Sequence, residues 1–340
     1  MKIVRKTDRF LGGIDLLLLS TVQPYPKYSV VVPVFNRPDE LAELLHSLTQ
    51  QTIRDFEVIV VEDGSDISSK AVCDKFRNQL ELHYYTKANT GPGPSRNFGV
   101  EKARGEYVVF FDSDCILPPT YFACVETFMQ AAPVDAWGGP DRGHENFTPL
   151  QQAMAYTMSS WLTTGGIRGG KPENFQPRSF NMGIRRSKSV ELGGFAFDRL
   201  AEDIELSIRM RKAGMKVVLI PDAFVYHKRR TDLIQFFHQV SGFGRGRVRV
   251  GKVHAGYVKL THWFPFVFMV GLVAIPVLIY FSLFWGTLLL IWYKLYSIAI
   301  FASAWRATGS AWVALLSVPS AVVQLCGYGW GFILEMLGIS

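Results

Sequence analysis

From Tyr28 onward the chain alternates between two hydrophobic periods. Residues 28–33 (YSVVVP) form a β-branched run, residues 40–50 set Leu41, Leu44, Leu45 and Leu48 on one helical face, and residues 56–61 (FEVIVV) form a second run. The alternation predicts a helix over 69–80, a strand over 82–86, a helix around 95–103 and a strand over 107–111. Continuous apolar strands separated by helices imply an α/β fold with a mostly parallel, Rossmann-like sheet covered on both faces. The ligand crevice of such a sheet lies at the carboxyl ends of its strands. The pattern changes abruptly at His262. The last 79 residues carry three charges, Lys294, Arg306 and Glu335, and fall into apolar runs at about 263–284, 286–304 and 311–334. Each is near the length that crosses a bilayer as helix. About three C-terminal transmembrane helices are expected; the very short connection near Trp285 leaves open two spans plus an interfacial segment.

Composition sharpens this division. With 49% hydrophobic and 19% charged residues, the chain is too apolar for a disordered or purely nucleic-acid-binding protein. Its formal net charge of +7 is local: residues 228–259 hold eight Lys/Arg (Lys228, Arg229, Arg230, Arg245, Arg247, Arg249, Lys252, Lys259) against Asp232. A basic belt immediately before the first apolar run faces the cytoplasm by the positive-inside rule, which Arg306 also fits. The expected localisation is the cell inner membrane, multi-pass, with a cytoplasmic soluble domain, membrane lipids as partners, no nucleic acid, and the C-terminus outside.

Four regions follow: an N-terminal interfacial segment (1–24), a catalytic-type domain (25–230), a basic amphipathic segment (231–260) and the membrane region (261–340). The apolar run near the N-terminus is too short for a signal peptide and contains Asp15. It reads as an amphipathic segment on the membrane, or as a surface helix. Residues 232–251 place Leu233, Phe236, Phe237 and Val240 on one helical face, the pattern of an interfacial helix. Cys73, Cys115, Cys124 and Cys326 show no metal-ligand spacing and are expected to be reduced thiols.

Polar residues gather where the strands end. Pro33, Phe35, Asn36 and Arg37 follow the first strand, Glu62 to Asp66 the second, and Asp112, Ser113 and Asp114 the fourth. Asp66 and Ser68 suit helix capping. Asp112 and Asp114, two carboxylates at i and i+2 behind a buried strand, offer oxygen ligands to a hard cation that itself holds phosphates. His227 is a further metal or diphosphate candidate, with a histidine packed at a strand end as the alternative. Gly138, Gly139 and Pro140 suit either a close approach to a sugar or a turn, and Trp161 with residues 165–170 suits either a loop near the acceptor or plain surface.

The ordered segments YSVVVPVFNRPDELAELLHSLTQQT, FEVIVVEDGSDI and NTGPGPSRNFGVEKARGEYVVFFDSDCILPP resemble the nucleotide-sugar-binding half of family 2 glycosyltransferases of the GT-A fold. FNMGIRRSKSVELGGF and AEDIELSIRMRKAGMKV resemble the acceptor half more loosely. The resemblance implies that Pro33, Phe35 and Arg37 lie in the donor pocket, Asp63 contacts a uracil-type base and Arg96 the base or diphosphate. It further implies that Asp112 meets ribose and metal, that Asp114 ligates Mg²⁺ or Mn²⁺, and that Asp203 is the catalytic base, with Glu202 orienting it or the acceptor. An Asp opening a helix is also a good N-terminal residue on dipole grounds. One base and no visible second nucleophile favour single displacement with inversion.

FFHQVSGFGRGR resembles the corresponding stretch of membrane-bound exopolysaccharide glycosyltransferases. Processive synthases carry QxxRW there; here Gln239 is followed by Phe243, Gly244 and Arg245. Gln239, Arg245 and Arg247 would hold the diphosphate, while headgroup contact suits Arg249, Lys252 and Lys259. The departure favours addition of one sugar, from a nucleotide diphosphate sugar (a UDP-sugar), to a membrane-presented acceptor such as a polyprenyl-diphosphate-linked glycan in cell-surface polysaccharide synthesis. The alternatives are a polyprenyl-phosphate glycosyltransferase, a nucleotidyltransferase, for which PVFNRPDE lacks the glycine-rich loop and lysine, and a non-catalytic membrane binding module. Lys294 inside an apolar run suits a lipid phosphate or snorkelling.

Overall fold

The computed structural model describes residues 25–143, 147–164, 175–228 and 230–339. The N-terminal interfacial segment and the glycine-rich stretch at 165–170 lie outside the described residues. The first half alternates as its periodicity requires: β1 (Tyr28–Val34), α1 (Pro38–Thr49), β2 (Phe56–Asp63), α2 (Lys70–Phe76), β3 (Leu82–Lys87), α3 (Pro92–Lys102) and β4 (Tyr107–Phe110). Helix α3 begins before the expected Ser95 because Pro92 and Pro94 occupy its first turn, where no backbone N–H is needed. Next come β5 (Cys115–Ile116), α4 (Tyr121–Ala131), β6 (Ala136–Gly138), β7 (Asp141–Arg142), α5 (Pro149–Ser159) and α6 (Trp161–Thr164). The domain closes with β8 (Met182–Arg185), α7 (Arg186–Glu191), α8 (Glu202–Lys212), β9 (Val217–Leu219) and β10 (Val225–His227).

Seven strands form one sheet in the order β3-β2-β1-β4-β8-β6-β9. The first four are mutually parallel, whereas β8 runs antiparallel to both β4 and β6. Each face has its own core. Val30, Val32, Val58 and Val60 pack against Leu41, Leu44, Leu45 and Leu48 of α1. Their neighbours Val31, Ile59 and Val61 point the other way, onto Val100 of α3 and Leu206 and Met210 of α8. Each such side chain, fully removed from water, contributes on the order of 1.5–3 kcal/mol, which fixes the strand register. All four parallel strands therefore end on one rim. A small sheet, β5-β10-β7, closes over that rim and sets His227 opposite Cys115, next to Asp114.

The opposite rim carries a buried carboxylate. Glu57 is wholly inaccessible and accepts from Ser29 Oγ (2.7 Å), the Arg104 backbone N–H (2.8 Å) and Arg104 Nε (2.9 Å). Burial works to raise its pKa, but these donors outweigh burial and hold it below the usual carboxylate range. The stabilisation is therefore present above the pKa of the unfolded chain, about 4.3, and is lost as pH falls through the lower folded value. Glu57→Gln is expected to cost about 1–3 kcal/mol near neutral pH. The gap in thermal midpoint from wild type should close in acid.

Beyond the sheet domain, α9 (Leu233–Val253) is capped by Asp232, whose Oδ1 accepts from the N–H groups of Ile234 (2.9 Å) and Gln235 (2.8 Å). Three helices follow, α10 (Phe264–Phe281), α11 (Leu283–Thr308) and α12 (Ala311–Met336), each long and apolar enough to cross a membrane. The α10–α11 turn is Ser282 alone, three residues before Trp285, and Gly286 packs against the backbone of Ile279. Lys294 is exposed on α11. Part of the basic belt is paired within the protein. Lys228 pairs with Glu43 at 2.7 Å, and Arg245, Arg249 and Lys252 converge on Glu335 at 4.0, 3.4 and 3.3 Å.

Candidate active site

The first strand ends deliver Phe35, 45% exposed, and Arg37 beside the half-buried Pro33. Asn36, at φ 54°, ties the β1 and β2 loops together: its Oδ1 accepts from the N–H groups of Asp66 (2.8 Å) and Ile67 (3.1 Å), and its Nδ2 donates to Asp66 (3.4 Å). Asp66 thus joins two loops instead of capping a helix. Asp114 is buried behind β4. Arg37 Nη1 meets its Oδ2 at 2.6 Å, and His227 Nε2 lies 3.1 Å from its Oδ1. Burial favours the neutral Asp114, but His227, Arg37 and Arg230 outweigh it and hold the carboxyl far below its ordinary range.

Arg96 joins the two halves of the site. Its guanidinium, 2% exposed and set against the Phe195 ring, donates from Nη2 to Asp112 Oδ1 (2.6 Å) and from Nη1 to Glu202 Oε1 (2.9 Å). Burial pushes Glu202 up and Asp203 adds to the rise, while Arg96 opposes it without cancelling it. Asp203 lies beside Glu202, 15% exposed, with Arg178 Nη1 at 3.4 Å from its Oδ2. The segment leading to this pair rests on the donor half. Gly93 N–H donates to Asp198 O (3.0 Å), and a Cβ at Gly93 would lie 2.0 Å from Phe197 O. The glycines of GPGP thus clear the path of the acceptor-half chain, and Gly91 also needs its φ of 102°.

The residues fit a divalent cation. Asp114 Oδ1 is buried, and the His227 imidazole, with Nε2 at 3.1 Å, is the group that faces it. Asp112, a third exposed, stands two residues away with an oxygen beyond the one Arg96 holds. Cys115 lies within the same cluster, but burial pushes its thiol well above its ordinary pKa and its Sγ donates to Phe180 O. A neutral thiol is no ligand for a hard cation. The donor set is then carboxylate and imidazole, which suits Mn²⁺ at least as well as Mg²⁺.

Three expected contacts are occupied by the protein itself. Asp63 is buried and accepts from Lys87 Nζ and the N–H groups of Thr90 (3.0 Å) and Gly91 (2.8 Å), so it holds the loop before α3. Arg96 is held between two carboxylates, Asp112 and Glu202. Arg245 points away from the strand ends, donating to Ile339 O (3.1 Å), while Gln239 is half-buried on α9. Gly139 likewise approaches its own fold, since a Cβ there would meet Ala223 O at 1.6 Å.

Residues 29–193 match the model described as Glycosyl transferase family 2, and residues 177–332 that of Glycosyl transferase family 21. Over residues 29–193 the chain carries a family 2 glycosyltransferase module. The poly(ribitol-phosphate) β-N-acetylglucosaminyltransferase TarS of Staphylococcus aureus is 41% identical to it over 92 residues, 26% of this chain and 16% of that protein. The glycosyltransferase GlyG of Streptococcus pneumoniae is 38% identical over 106 residues, 30% of this chain and 34% of that protein. The chain thus spans well under two thirds of the length of these relatives. Among solved structures, the mannosyltransferase PcManGT of Pyrobaculum calidifontis, in complex with GDP-Man and Mn²⁺, superposes with a TM-score of 0.58 at 16% identity, covering 94% of this chain and 89% of its own. TarS 1–349 superposes at 0.50 with 20% identity and 92% of each chain. Both share the GT-A fold.

In this chain the sequence patterns left three features unseen. Arg178 and Arg230 stand beside Asp203 and Asp114, yet no motif marks them. Leu200 and Ala201 adopt left-handed φ of 60° and 64° immediately before Glu202 and Asp203, a conformation costly for residues with a Cβ. Helix α9 braces that turn: a Cβ on Gly246 would lie 2.8 Å from Ala201 Cβ. Gly246→Ala is expected to lower transfer about tenfold by overpacking. Ala201→Gly removes the opposing methyl and relaxes φ, so adding it should restore kcat; continued loss in the double variant would refute the brace.

Proposed function

We propose that the chain is a membrane-anchored, inverting, metal-dependent glycosyltransferase. It moves one sugar from a UDP-sugar to an acceptor held at the cytoplasmic face of the cell inner membrane, such as a polyprenyl-diphosphate-linked glycan. The observation that carries the reading is the Arg96 bridge, which holds Asp112 of the donor side and Glu202 of the acceptor side on one buried guanidinium. A donor bound between β1 and β4 is thereby set against Asp203. The N-acetylglucosaminyltransferase name of TarS supports transfer of a sugar, and the GDP-Man and Mn²⁺ of PcManGT support a nucleotide diphosphate sugar with a metal.

Asp114, His227 and Asp112 would hold the cation, which when bound supplies charge neutralisation for the leaving diphosphate. Arg37, now on Asp114, and Arg230 behind it are the cations nearest that anion. Asp203 takes the proton of the attacking acceptor hydroxyl on the sugar face opposite the diphosphate. The oxygen of that hydroxyl forms the new glycosidic bond as the bond from the anomeric carbon to the diphosphate breaks, which inverts the anomer. Glu202, bound to Arg96, keeps its neighbour in place and is not free to act as a second nucleophile.

The test is a screen of UDP- and GDP-sugars with purified protein in detergent, with Mn²⁺, Mg²⁺ or EDTA and a polyprenyl-diphosphate glycan. Free UDP and a lipid product one sugar heavier, of inverted configuration, are expected only with metal. Transfer with retention would overturn the single displacement, and failure with every nucleotide sugar would overturn the activity.

A further inference from the structure

Three helices long enough to cross a membrane need not make three crossings. Helices α10 and α11 bury almost none of their surface, whereas α12 buries nearly half. The start of α10, at Pro265 and Phe266, lies against Gly329, and the end of α11, at Ile300 and Ala304, shares a cluster with Ala314 and Ala321; the rest of the cover on α12 is the sheet domain and its extension. Ala314 and Ala321 pack with Tyr156 of α5, and Val323 with Met154 and Met158 of α5 and Phe236 and Val240 of α9. Further along, Gly327 lies against Phe237 and Val240, Gly331 against Ser241, and Gly244 of α9 against Tyr328 and Phe332. Glu335 then meets Arg245, Arg249 and Lys252.

These contacts advance together along both chains, so α9 and α12 run parallel and side by side for about four turns, roughly 22 Å. Helix α9 cannot leave the catalytic side. It carries the basic residues, and its Val250 packs with Ile204 and Ile208 of α8, the helix that bears Asp203. A crossing helix would leave α9 within a turn or two, or would draw three basic side chains into hydrocarbon, where charge is expensive. The outward side of α12 is a single apolar stripe at helical spacing, Trp312, Leu315 and Trp330 continuing to Leu337.

We propose that only the α10–α11 hairpin crosses the membrane, and that α12 lies in the interface on the catalytic-domain side with its apolar stripe against the lipid. Glu335 to Ile339 then share a face with Asp203, opposite to the orientation that three crossings require. The inference does not rest on the catalytic reading and stands or falls separately from it.

Sidedness tests it in the full-length protein. Ser282→Cys, in the hairpin turn, and Ile339→Cys are treated with a membrane-impermeant maleimide in vesicles of each orientation. The partly exposed Cys124 marks the side of the catalytic domain, and Cys326 of α12 is replaced by Ser in every variant. Ser282→Cys should label only from the face opposite the catalytic domain, and Ile339→Cys only from the same face as it. Any other pattern overturns the proposal. Reporter fusions after Ser340, one fluorescent only in the cytoplasm and one active only outside, give the same answer without a cysteine: fluorescence supports it and external activity overturns it.

Discussion

Asp203→Asn should reduce kcat for transfer by about 10³-fold, within the range of a lost general base, while donor KM changes less than twofold. Asparagine keeps the shape of the side chain and the hydrogen-bonding reach of its oxygen but cannot accept the acceptor's proton. The fold should tolerate it. Asp203 stands in the first turn of α8, where a carboxylate gains about 0.3–1 kcal/mol from the helix dipole, and Arg178 is its one ion-pair partner among the described residues. Metal-dependent donor binding, followed by displacement of a fluorescent UDP analogue, should persist in the variant. Wild-type turnover in Asp203→Asn would remove it from the mechanism. Equal loss of donor binding and turnover would show instead that it shapes the donor pocket.

The proposal of Asp203 and not Glu202 as the base follows from what each touches. Glu202 is buried and paired with Arg96, so its lone pairs serve a guanidinium that also fixes Asp112. A bridge of two carboxylates on one inaccessible arginine is costly to break, about 3–5 kcal/mol when one partner is removed. It couples the sheet rim to the acceptor-side helix more firmly than the loops between them. The strained turn at Leu200 and Ala201 is held at its other side by α9, and α9 by α12. The catalytic geometry is thus tied, through two helix contacts, to the membrane-facing part of the chain.

Much of the parallel half of the fold was legible because β1, β2 and β4 are buried on both faces and read as unbroken apolar runs. The antiparallel strand β8 was not, since MGIR is too short for either period to show. At the site, the position of Asp112 and Asp114 at the rim followed from the strand that precedes them. The fates of Asp63, Arg96 and Arg245 did not follow, because motif spacing records which residues are near the crevice and not which of them the chain has already paired. Likewise, apolar length alone cannot separate α12 from α10 and α11: all three exceed the crossing threshold, and only what packs against them differs.

Removal of the cation's principal ligand gives the second large effect. Asp114→Asn should lower metal-dependent transfer by about 10²–10³-fold, several kcal/mol of lost charge stabilisation at the leaving diphosphate. Its residual rate should equal that of wild type in EDTA. The mutation also leaves Arg37, Arg230 and His227 facing one another without the charge that separates them, so a lower thermal midpoint is expected alongside. His227→Gln distinguishes the two consequences, because it keeps Asp114 and its pairing with Arg37. Imidazole is the donor that favours Mn²⁺ over Mg²⁺, so the Gln variant should need more Mn²⁺ for half-maximal rate while its Mg²⁺ requirement changes little. Metal titrations of both variants, read by activity and by the EPR signal of free Mn²⁺, would show it. An unchanged Mn²⁺ requirement in His227→Gln would leave His227 as a partner of Asp114 alone, and a metal response retained by Asp114→Asn would move the cation to other ligands.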